Sequence, residues 1–146
     1  MNKIIKIIFV LALFLPLVSH AQCKHFTKKH CISQLDDYKF NGQLNAAILT
    51  RGDTAELVLS FYSNQKYRLF VCNEEQLGDV TFKLLDADRN VVYESKKGEE
   101  QIFDFQVPST QKLILQVFVH GEKTTHSLEF QGCVSVLIGF IESEDN

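Results

Sequence analysis

Three groups of side chains in this sequence have the types and spacing from which chemistry is built. Asp86-Ala87-Asp88-Arg89-Asn90 sets three oxygen-bearing side chains at alternate positions, as a calcium loop does. His120 and His126 flank a Gly-containing turn that can bring two imidazoles onto one metal or one hydroxyl. Cys23, Cys31, Cys72 and Cys133 can serve as nucleophiles, metal ligands or disulfide partners.

Each group meets a plainer alternative. A calcium loop of the EF-hand type needs Gly at its sixth position and Glu at its twelfth, where this sequence has Val91 and Lys97. Asp and Asn also cap tight turns without any metal, so Asp86, Asp88 and Asn90 read first as a hairpin turn. A hydrolase built on His120 and His126 would need an activated Ser or Cys, and no Gly-x-Ser-x-Gly occurs. The carboxylate pairs Asp36-Asp37, Glu74-Glu75 and Glu99-Glu100 are adjacent in sequence, which does not by itself aim two carboxyls into one cleft. A zinc set from Cys23, His25, His30 and Cys31 matches no established ligand spacing. Tyr38, Phe40, Tyr62 and Tyr93 offer rings for stacking on sugar, but the chain has no Trp. No cofactor motif is present.

The N-terminus sets the compartment. Lys3 and Lys6 precede an apolar run from Ile7 to Val18, and Ser19-His20-Ala21 places small residues at the positions a signal peptidase reads. Residues 1–21 are therefore expected to be a signal peptide, of the Ile/Lys/Asn-rich kind resembling those of Bacteroidetes, cleaved near Ala21. The run is interrupted by Pro16 and falls short of the roughly 20 apolar residues a membrane span needs. Residues 22–146 then form a single periplasmic or secreted domain with no transmembrane segment. Loss of Lys3 and Lys6 takes 15 basic residues to 13 against 18 acidic ones, a net charge of −5. Nucleic acid, which requires a concentrated basic face, is excluded as a partner class. The basic stretch Lys24–His30 reads as a solvated terminal loop.

In an oxidising compartment four cysteines favour two disulfides, with three connectivities open. Cys23 and Cys31 can close a small ring in that loop. Cys72 and Cys133 would then be joined across 61 residues, a closure of about 4 kcal/mol by chain entropy.

The body of the chain alternates apolar and polar residues. Ala55, Leu57, Leu59 and Phe61 share one face; Tyr67, Leu69 and Val71, then Val80, Phe82 and Leu84, then Leu113, Leu115, Val117 and Val119 repeat the pattern. Turn residues separate these runs. The last run, Cys133–Ile141, is apolar on both faces and is expected to be a central strand with Cys133 as a staple. The expected fold is all-β: an antiparallel β-sandwich or jelly roll of about eight strands starting near Leu44, with a short irregular or helical N-terminal arm around Ile32–Tyr38.

Gly52-Asp53, Tyr67-Arg68-Leu69-Phe70-Val71, Asp79-Val80-Thr81-Phe82-Lys83-Leu84-Leu85-Asp86 and the return run Leu113–Val119 together resemble the bacterial pre-peptidase C-terminal (PPC-like) sandwich domain. The chain is also similar to small exported Bacteroidetes proteins of unknown function that end in a Gly-Cys-Val strand. The resemblance implies a β-sandwich used as an accessory or binding module, and it transfers no catalytic residue. The expectation is an exported, non-enzymatic module with a protein or polysaccharide partner. Two alternatives remain open: a small hydrolase around His120 and His126, and a structural subunit of an envelope assembly.

Overall fold

The computed structural model describes residues 18–123 and 131–142. Residues 1–17 of the expected signal peptide, and His126, lie outside the described residues.

An N-terminal arm comes first. Helix α1 (Val18–Phe26) runs into a single π-turn (Thr27–Cys31) and a 3-10 turn (Ile32–Leu35). Nine strands follow among the described residues: β1 (Lys39–Phe40), β2 (Asn45–Thr50), β3 (Thr54–Phe61), β4 (Gln65–Asn73), β5 (Val80–Leu85), β6 (Val91–Glu94), β7 (Ile102–Gln106), β8 (Gln111–Val119) and β9 (Gln131–Glu142). They form two antiparallel sheets. The first has the order β1-β9-β4-β7, with β2 also paired to β9; the second has the order β3-β8-β5-β6. The chain is an all-β sandwich whose first strand precedes the expected start near Leu44.

The period-two faces pack as the sequence predicts. Phe61, Leu69, Phe82, Leu84, Leu115 and Val117 are fully buried between the sheets, and Leu59, Tyr67, Val71, Val80, Leu113 and Val119 join them. Each large side chain so buried contributes roughly 1.5–3 kcal/mol. Strand β9 lies centrally, with β4 on one side and β1 and β2 on the other. Its Val134, Val136 and Ile138 enter this core. Leu137 points the other way, into a second cluster with Cys31, Leu35 and Phe70. Ile141, the last residue of the apolar run, is exposed near the strand's end.

The second cluster exists because the arm lies across the outer face of the first sheet. Gly139 permits the close approach: a Cβ there would sit 2.6 Å from Tyr38 Cβ and 3.3 Å from Leu35 Cδ2. The buried hydroxyls of Thr27 and Ser135 hydrogen-bond to each other, and Thr27 Oγ1 also meets the Cys23 carbonyl at 2.7 Å.

The disulfides correct the expected pairing. Cys23 joins Cys133 and Cys31 joins Cys72, with Cα separations of 5.3 and 5.9 Å. The segment expected to be a loop is helical. Eight residues of helix separate the Cα atoms of Cys23 and Cys31 by about 12 Å, beyond the roughly 7 Å a disulfide spans. Cys72 stands opposite Ser135, two residues away from Cys133, and both cysteines face the arm. Each sheet cysteine therefore meets an arm cysteine. The bonds span 110 and 41 residues, closures of about 5 and 4 kcal/mol taken separately.

Non-reducing peptide mapping should recover the linked pairs Cys23–Cys133 and Cys31–Cys72; a Cys23–Cys31 peptide would contradict this architecture. Gly139→Ala should drive the arm off β9 and lower stability by about 1–3 kcal/mol, read as a fall in the denaturant midpoint.

Candidate functional site

The sandwich is fastened on one side and open on the other. On the fastened side, Arg68 of β4 carries the arm. Its Nε and Nη2 donate to the two oxygens of Asp104 on β7 at 2.8 and 2.7 Å, and its Nη1 donates to Asp36 at 2.6 Å. The guanidinium lies 4.5 Å from the centroid of the Tyr38 ring. Fork-to-fork pairing suits guanidinium and carboxylate geometry. The Asp104 hydrogen bonds push the Arg68 pKa further up, and the Arg68 hydrogen bonds hold the Asp104 carboxyl below the usual carboxylate range. Burial, then the charge of Asp104, raises the Tyr38 hydroxyl.

The open side lies where β2 leaves the first sheet and turns into β3 of the second. The corner between them is tight: Gly52 has φ 83°, and Asp53 Oδ2 accepts from the Thr50 amide and hydroxyl at 2.9 and 2.7 Å. Those two bonds hold the Asp53 carboxyl below its ordinary value. Register with β9 turns Asn45, Ala47 and Leu49 inward, opposite Val136, Val134 and Gly132. Alanines at 47 and 55 leave space that larger residues would fill, and a cleft of about 230 Å³ results. Its floor is Val117, Val134 and Val136.

Two polar groups belong to this cleft. The Asn45 Nδ2 is buried with no hydrogen-bond partner among the described residues. Glu56 accepts from Arg89 at 3.2 and 2.8 Å and from Gln116 at 2.8 Å. The Arg89 hydrogen bonds, followed by that from Gln116, lower its carboxyl to about 2. Glu56 thus borders the cleft with its carboxylate held on the outer face, and an apolar floor beside an amide donor suits an apolar side chain flanked by a polar backbone.

The residues singled out from sequence are dispersed. Asp86 Oδ1 accepts from the Asp88 and Asn90 amides at 2.9 and 2.8 Å, and its Oδ2 from Asn90 Nδ2 at 2.9 Å. The Asp86–Asn90 segment is a self-satisfied turn linking β5 to β6, and its geometry explains the Asp and Asn residues without a cation. No group of three or more His, Cys, Asp or Glu with metal-holding geometry occurs among the described residues. His120 Nε2 lies 2.8 Å from Thr81 Oγ1 on an exposed surface, and its proposed companion His126 is outside the described residues. Tyr93 stacks on Phe103, Tyr38 lies under Arg68, Phe40 packs beneath the arm and Tyr62 is exposed past the end of β3, so the four rings form no shared platform. Cysteine chemistry is closed off, since all four are oxidised. The cleft itself escaped sequence reading; Asn45-Ala46-Ala47, a run of small residues opening a strand, was its one visible sign.

No protein family model matches the chain, and no curated protein matches it. Among solved structures, PliG of Aeromonas hydrophila, a periplasmic lysozyme inhibitor of g-type lysozyme, aligns with a TM-score of 0.49 and 12% identity over 72% of this chain and 89% of that one.

Replacing Arg68 with Ala should cost about 1–3 kcal/mol in denaturant unfolding. Asp104, followed by NMR, should return to the usual carboxylate range in that variant. Because its folded pKa is depressed, the Asp104 contribution is present above the unfolded carboxylate pKa and is lost as pH falls through the lower folded value. R68A should show less of that acid sensitivity than the parent.

Proposed function

We propose that the mature chain is an exported, non-enzymatic binding module of the cell envelope, and that it binds through the open side between β2 and β3. The observation that carries this reading is the cleft at that side, with its apolar floor and the unpartnered Asn45 amide. A buried donor without a partner is costly, about 1–3 kcal/mol, and a ligand carbonyl supplies what it lacks. The apolar floor and the dispersal of the aromatic rings favour a protein segment over a polysaccharide. Two disulfides support export to an oxidising compartment, as does the N-terminal signal pattern. The side chains with catalytic potential serve other ends: Asp86 holds a turn, and the cysteines tie the arm. An accessory role of the kind the PPC-like resemblance implies fits this arrangement.

A second reading, a structural subunit of an envelope assembly, is favoured by one observation. Among the described residues, strand β3 is an eight-residue free edge with Val58 exposed at its middle.

Tagged mature protein exposed to its native solubilised envelope should retain a protein partner, and Ala47→Trp, which fills the cleft from an exposed position, should lose it. Equal retention by A47W would remove the cleft from the reading. Intact mass of the protein recovered from the periplasm or medium should correspond to a chain beginning at Gln22; a chain retaining residues 1–21 would contradict export by cleavage.

A further inference from the structure

Among the described residues, four strands or strand pairs bound the two sheets, and the sequence treats them unequally. On the second sheet, β6 has four residues and its register with β5 slips between Leu84 and Leu85. On the first, β7 has five residues, and Asp104 at its centre is tied to Arg68. Opposite it, β1 is two residues long, and in β2 the Thr50 amide is taken by Asp53. Short strands, bulges and charges of this kind are how free edges are kept from pairing. Strand β3 has none of these except one charge. Its eight residues pair with β8 in unbroken register from Thr54↔Phe118 to Phe61↔Gln111, and they include neither Pro nor Lys. Its one charge, Glu56, is already met by Arg89 and Gln116.

We propose that β3 pairs antiparallel with β3 of a second copy, about a twofold axis at Val58, joining the two second sheets into one. This inference stands on the edge itself and does not need the cleft-binding reading. Directly opposed residues of antiparallel strands must share a face, so the axis has to fall on a residue. An axis at Leu57 would set Asp53 against Phe61 and Glu56 against Val58, charge against apolar surface. An axis at Val58 sets Val58 on its own copy, Glu56 opposite Ser60, Leu57 opposite Leu59 and small Ala55 opposite large Phe61. Glu56 then avoids its own copy, and the strand beyond Ser60 presents Lys112, its partner on β8. Reading across the joined sheet, Lys83, Gln116, Glu56, Ser60 and Lys112 alternate charged with neutral residues, so no two like charges are adjacent.

The apolar row is continuous as well. Val58 stands beside Ile114 of β8, Ile114 beside Leu85 of β5, and Leu85 beside Val91 of β6. Val58, 61% exposed in one copy, would complete this row against its twin. The surrounding molecule carries net negative charge, which opposes association at long range; the edge itself carries no uncompensated charge, so pairing is confined to it.

The test is the mass of the mature, oxidised protein in solution at high micromolar concentration, by sedimentation or light scattering. A mass twice that of one chain is expected, reduced to one chain by Val58→Lys, which sets two ammonium groups face to face on an exposed position. Circular dichroism and thermal unfolding of V58K check that the fold survives. Val58→Cys, produced in an oxidising compartment, should give a reducible dimer linked 58 to 58, while Thr54→Cys, on the same face away from the axis, should not link to itself. A single-chain mass for the parent overturns the proposal and leaves β3 to a foreign strand. So does a dimer that V58K leaves intact and V58C fails to cross-link. Loss of partner retention in A47W with an unchanged dimer mass would separate the two readings.

Discussion

The fold depends on burying β9 on both faces. Val134, Val136 and Ile138 look into the sandwich and Leu137 looks away from it, so the strand needs a cover on each side. The second sheet supplies one cover from period-two strands. The other has to come from outside the sheets, and among the described residues the N-terminal arm supplies it. That cover is small: four buried residues form its cluster, and two of its helical turns are too short to persist alone. Disulfides from the arm to β4 and β9, the Arg68 clasp and the absence of a side chain at Gly139 compensate for the limited apolar area.

What could be read from sequence follows from where information is local. The two-residue period of Leu57–Phe61, Tyr67–Val71 and Leu113–Val119 writes the inner face directly, and β9 announced its central place by being uncharged, and apolar on both faces, from Cys133 to Ile141. Disulfide partners were not legible, because proximity along the chain and proximity in space diverge once Cys23–Cys31 becomes helical. The arm itself misled for the same reason: Lys24, Lys28 and Lys29 make the segment look solvated, and they are exposed, while Cys23, Thr27 and Cys31 at four-residue spacing are buried beneath them. Arg68 carried no signal, since its two carboxylates lie 32 and 36 residues away. The open side was invisible because it is made of an absence of bulk at Ala47 and Ala55, and no pattern marks which small residues border a gap.

The two sides of the sandwich divide the work. Charge pairing and covalent bonds gather where the arm meets the first sheet. The β2–β3 side has one tight corner, small side chains and an unguarded edge. An acidic molecule with a neutral, apolar margin is repelled by most neighbours and can be approached closely along one line.

The bond between Cys23 and Cys133 also bears on how the molecule is made. A chain crossing a membrane from its N-terminus delivers Cys23 first and Cys133 last, with Cys31 and Cys72 arriving between them. Oxidation in order of arrival would join the first two thiols, a pair that the finished helix holds too far apart. Reaching the native connectivity from there requires the Cys72 thiolate to displace Cys23 from Cys31 by exchange, and the oxidising compartment then to join the freed Cys23 to Cys133 once β9 has emerged. Maturation thus waits on β9: a product truncated before it has no partner for Cys23 and no strand for its arm to cover.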